Sequence, residues 1–148
     1  MGSDYTRRSA FSFFGTKPRN IQWSWSARNE TTKTVVVTLW KDLLKKEESG
    51  FCYRNPKPPA EVARRLGHGE LIENLIWARE NCEGRFNVIV AVARDPSEDP
   101  RKVAECYPIK TVMQLADFDP VSGSFTAHSV LPTPAPVARR NGSQNARV

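Results

Sequence analysis

Three cysteines and two histidines are the side chains of this 148-residue chain best suited to nucleophilic or metal chemistry. Their spacing argues against both. Cys52, Cys82 and Cys106 form no C-x-x-C pair, and His68 and His128 lie about 60 residues apart with no partner at ligand spacing. The sequence therefore predicts no metal and no cofactor. Cys82 falls on an apolar helical stripe, where a thiol is expected to be buried and inert. Ser122-Gly123-Ser124 lacks the strand-to-helix elbow of a serine nucleophile. The acids Asp117 and Asp119, and Glu98 and Asp99, stand beside turn residues and read as solvated carboxylates, not as an acid–base pair. Gly67-His68-Gly69 comes nearest to a phosphate-holding loop, with two glycines leading into a helix start. It follows a helical patch and lacks a Lys-Ser/Thr tail, so a helix–helix turn is the plainer reading. A phosphate bound there would meet Arg64, Arg65 and His68. No catalytic set emerges.

The aromatic and basic residues support binding better than catalysis. Residues 21–27 alternate apolar and polar side chains, placing Trp23 and Trp25 on one face of a half-buried strand, and Trp40 ends the next strand. Core packing is the plainer reading of Trp23 and Trp25. The functional reading is an aromatic wall on which a flat base stacks, worth roughly 1–3 kcal/mol per base. Trp77 falls among Glu70, Glu73 and Asn81 on the polar side of a predicted helix. It is expected to contact another segment of the chain or a protein partner. Lys45, Lys46 and Arg54 belong to a basic run interleaved with Phe51 and Tyr53, the composition of a solvated loop or of a loop that tracks a nucleic-acid strand.

The elements that position these residues form one domain. The net charge of +6 lies in the ends: residues 1–20 carry +3, residues 131–148 carry +3, and residues 21–130 balance 15 basic against 15 acidic groups. This pattern predicts a flexible basic arm over residues 1–19, tethered by Phe11, Phe13 and Phe14, a folded body over 20–130, and a disordered Pro- and Arg-containing tail. Strands are expected at residues 21–27, 35–40, 86–93, 112–118 and 124–130. Helical patches are expected at 59–66 and 69–82, and residues 41–59 read as a long excursion. The fold class is α+β, a small five-stranded bent mixed sheet or a barrel with inserted helices. No apolar run approaches the roughly 20 residues of a membrane span. An odd number of unpaired cysteines points to a reducing, cytoplasmic setting.

The tryptophan-rich first strand, the apolar strand ending Leu39-Trp40-Lys41-Asp42, the inserted helical segment, the Val-rich strand and the hairpin at 118–123 together resemble the PUA-like small barrels. The similarity is to the EVE and SRA branches, and to accessory domains of bacterial restriction and defence systems. The resemblance implies a non-catalytic reader of DNA or RNA that accepts an extruded, modified base between aromatic walls, with Trp23, Trp25 and Trp40 as candidates. The competing reading is a protein-interaction or structural module of a larger assembly.

Overall fold

The computed structural model describes residues 5–20, 24–47, 50–55, 66–97 and 103–130. Trp23, Arg64, Arg65, residues 59–65 of the helix predicted at 59–66 and the tail from 131 lie outside the described residues. The described chain runs α1 (Arg7–Phe13), β1 (Ser26–Asn29), β2 (Thr34–Trp40), a 3-10 turn (Lys41–Leu43), β3 (Leu44–Glu47), β4 (Gly50–Asn55), α2 (Leu66–Asn81), β5 (Arg85–Ala93), β6 (Val103–Phe118) and β7 (Phe125–Val130).

The seven strands form one mixed sheet in the order β1-β2-β5-β6-β7-β4-β3. The α+β class holds, but the expected five strands are seven and the sheet stays open, with β1 and β3 at its edges. Among the described residues only β2 and β5 pair in parallel, from Val36 opposite Asn87 to Trp40 opposite Ala91. Both are apolar on both faces, as strands covered on two sides must be. One face carries Val35, Val37, Leu39, Phe86, Val88 and Val90, on which Leu71, Leu75 and Ala78 of α2 pack. The far strands join the same core through Tyr53, Met113, Phe125 and Ala127. The sheet curls enough for the Tyr53 hydroxyl on β4 to accept a hydrogen bond from the Trp40 backbone N–H on β2, at 3.3 Å.

The opposite face carries Ala27, Val36, Ile89 and Cys106, and α1 covers it with Ala10 and Phe11. Residues 7–13 are thus no loose arm. Seven residues make a marginal helix in isolation, and both ends of this one are capped. Thr6 and Ser9 exchange side-chain-to-backbone hydrogen bonds at 2.9 and 3.0 Å. At the other end Gly15, in the left-handed region, sends its N–H to Ser12 at 2.8 Å while the Thr16 N–H reaches Phe11 at 3.1 Å.

The segment read as an excursion folds into the β3–β4 hairpin, with Leu44 opposite Tyr53 and Lys45 opposite Cys52. The proposed helix–helix turn at Gly67-His68-Gly69 lies inside α2. Asn74 of α2 is also buried, and donates to the Ser26 hydroxyl at 2.7 Å.

Arg19 clamps the outer side of α2, bonding both carboxylate oxygens of Glu73 at 3.0 and 3.2 Å. This hydrogen bonding, with the Arg19 charge, holds the Glu73 carboxyl below the usual range. A carboxyl lowered on folding adds stability at neutral pH that is lost as acid titrates it. Both side chains are more than half exposed, which limits the gain. Glu73→Gln, which leaves the contact of Arg19 with buried Glu70 in place, is expected to cost less than about 1 kcal/mol at neutral pH. The cost should vanish below the lowered Glu73 pKa, as chemical denaturation across the acid range will show.

Candidate nucleic-acid interface

Trp25 and Trp40 come together on the α1 side of the sheet. Strand alternation puts Trp40 on the face of Val36 and Thr38, and the Thr38 N–H bonds the Trp25 carbonyl at 3.0 Å. Their ring centroids are 5.1 Å apart at an interplanar angle of 40°, and both side chains are half-buried. A base sandwiched between two rings needs about twice the stacking distance, roughly 7 Å, so nothing flat enters this gap. The crevice that Trp25 shares with Arg7, Phe11, Thr38 and Ile89 has no room for a water molecule. Trp25 is thus taken up between Trp40 and Arg7, and Trp40 keeps a half-buried ring at the end of β2.

Arg7 holds this corner together. Its guanidinium carbon lies 5.8 Å from the Trp25 ring centroid, and the group donates to the Ser24 carbonyl. Burial lowers the Arg7 pKa from its ordinary value, and the neighbouring Cys106 opposes that shift. Cys106 itself is pushed up, mainly by burial.

Arg8, Ser9, Ser12 and Phe13 of α1 face outward. Arg8, Ser12, Thr16, Lys17, Pro18 and Arg19 line an open groove of about 460 Å³. Phe13 is 51% exposed and Tyr5 39%, and they meet edge-on with centroids 6.3 Å apart. Phe13 and Phe14 make a second edge contact at 5.0 Å. One short segment therefore combines cations with uncovered aromatic faces. The sequence reading took these charges as a flexible basic arm, with Phe11, Phe13 and Phe14 as its tether, and placed no helix there. The signal for the helix was Thr6 followed three residues later by Ser9.

The other predicted residues divide. Lys45 and Arg54 lie on the α1 side of the sheet, in register with Cys52 and Thr126, whereas Lys46 pairs with Phe51 and alternates to the other side. His68 is buried, with Nε2 2.8 Å from the Ser122 carbonyl, so it holds the β6–β7 loop and faces no phosphate. Trp77 packs half-buried against the core, and the Arg28 guanidinium covers it 5.5 Å from the ring centroid. Its contact is thus with the chain's own first strand. Cys82 is half-buried, not enclosed, and its thiol donates to the Lys33 carbonyl at 3.3 Å. Burial, partly offset by Lys33, raises its pKa.

Side chains missed by spacing meet at the outer edge. Glu47, Cys52 and His128 gather on the α1 side of β3, β4 and β7, and His128 Nδ1 lies 3.1 Å from a Glu47 carboxylate oxygen. Comparison with protein-family models, curated proteins and solved structures finds no match. No helix among the described residues is long and apolar enough to cross a membrane.

Proposed function

We propose that the chain is a non-catalytic nucleic-acid-binding domain, a reader or adaptor of the kind used in restriction and defence. The observation that carries this reading is the outward side of the α1 segment, where Arg8 and Lys17 line a groove beside exposed Phe13 and Tyr5. Cations neutralise phosphates and release counterions, while aromatic faces stack bases without reading sequence. The half-buried ring of Trp40 is a second candidate for stacking on the same side of the sheet. The near-neutral body confines attraction to this segment and the basic tail. The resemblance to PUA-like readers supports the same ligand class, with the base lying on these ring faces.

Binding of short single strands and duplexes, with and without modified bases, across a salt series tests the proposal. Each phosphate contact removed from a duplex lowers the log–log salt slope by about 0.9. An Arg8→Ala/Lys17→Ala variant should therefore flatten it by about 1.8, and Trp40→Ala should cost roughly 1–3 kcal/mol for single strands. Equal slopes for variant and wild type would refute the interface.

The second reading, a protein-interaction module, is favoured by the same exposed pair, Phe13 and Tyr5. Protein partners bury aromatic anchors at interface centres. A Phe13→Ala variant that keeps nucleic-acid affinity but loses a co-purifying protein would select it.

A further inference from the structure

We propose that Glu47, Cys52 and His128 form a binding site for a borderline-soft divalent cation, with Zn²⁺ as the fitting ion. The strand ladder builds the site. Cys52 on β4 stands directly opposite His128 on β7, and on its other flank opposite Lys45 on β3, two residues before Glu47. Residues two apart share a face, so three adjacent strands each contribute one donor to the same side of the sheet. A carboxylate oxygen, the Cys52 sulfur and a ring nitrogen of His128 all lie within 4.8 Å of one another. Tetrahedral zinc, with metal–ligand lengths of about 2.0–2.3 Å, sets its donors roughly 3.3–3.8 Å apart. Small rotamer adjustments close that difference.

The donor chemistry selects the metal. A thiolate and an imidazole suit zinc and disfavour calcium and magnesium, which take oxygen ligands. With both Glu47 and Cys52 anionic, the two negative charges match the dication, and Cys52 releases its thiol proton to solvent on binding. Three protein donors leave the fourth position to water. All three side chains are half-buried, so an ion has access from solvent. Because β3 is an edge strand, the ion would fasten the outer hairpin to β7.

The test uses the full chain, reduced and metal-free, titrated with Co²⁺ and then displaced by Zn²⁺. The expected results are a thiolate-to-cobalt charge-transfer band at one equivalent and protection of Cys52 from alkylation by Zn²⁺. Cys52→Ser should abolish the band, and His128→Ala should weaken zinc affinity at least about tenfold. Glu47→Gln, which keeps the shape of the side chain, should also weaken it and serves if His128→Ala is poorly folded. A wild-type protein without the band, or a band that survives Cys52→Ser, would overturn the proposal. So would Zn²⁺ that leaves Cys52 alkylation unchanged.

Discussion

Replacing Phe11 with alanine should destabilise the domain by about 3–5 kcal/mol, the usual cost of deleting a buried phenyl ring. The ring is 1% exposed and packs with Ala27, Val36, Ile89 and Cys106 on the sheet face opposite α2. No other described helix covers that face. A cost of this size is a large share of the 5–15 kcal/mol that stabilises an ordinary domain. Urea denaturation measures it, and amide exchange over residues 7–13 should become fast in the variant. Phe13→Ala is the control: that ring is 51% exposed, so its loss should fall within about 0.5 kcal/mol. A Phe11→Ala cost below about 1 kcal/mol would show that α1 is a dispensable arm.

Gly123→Ala should also be strongly destabilising, at about 2–4 kcal/mol. Gly123 has φ +85°, in the left-handed region that penalises a Cβ. An added Cβ would also stand 2.5 Å from His68 Cε1, 2.7 Å from Nε2 and 3.1 Å from Ile72 Cγ1. His68 cannot yield freely, because its Nε2 lies 2.8 Å from the Ser122 carbonyl. The loop is equally fixed: Asp119 accepts from the Val121 N–H and the Ser122 hydroxyl, each at 2.9 Å. Thermal unfolding of Gly123→Ala against a His68→Ala/Gly123→Ala double variant separates the two causes. If the clash dominates, the double variant will be less unstable than the sum of its singles.

The parts of the fold legible in the sequence are those with a continuous apolar pattern. Val35 to Trp40, Phe86 to Ala93 and the stripe through Leu71, Leu75 and Ala78 each announce their element, and each is central. The β3–β4 hairpin was hidden because an edge strand carries charge: Lys45, Lys46 and Glu47 follow one another. The first half of β6 was hidden by Pro108, which would interrupt an interior strand. Among the described residues, Val103 to Ile109 pair with β5 alone, so the missing N–H is tolerated at an edge. Helix α1 was obscured by serine where a capping box more often has glutamate. Of the candidate sites, Trp40 ends the strand predicted for it, whereas the strand expected at 21–27 is β1 at Ser26–Asn29, so Trp25 precedes it and does not alternate along it. The Glu47, Cys52 and His128 group could not be named from spacing, because register alone brings these residues together.

The parallel pairing of β2 with β5 bears on biosynthesis. Val36 meets Asn87 only after about fifty further residues have left the ribosome, roughly 3–10 s at ordinary elongation rates. Through that interval the nascent chain holds a valine-rich ribbon with an unsatisfied rim, the kind of surface that recruits chaperones or zips onto a neighbouring polypeptide.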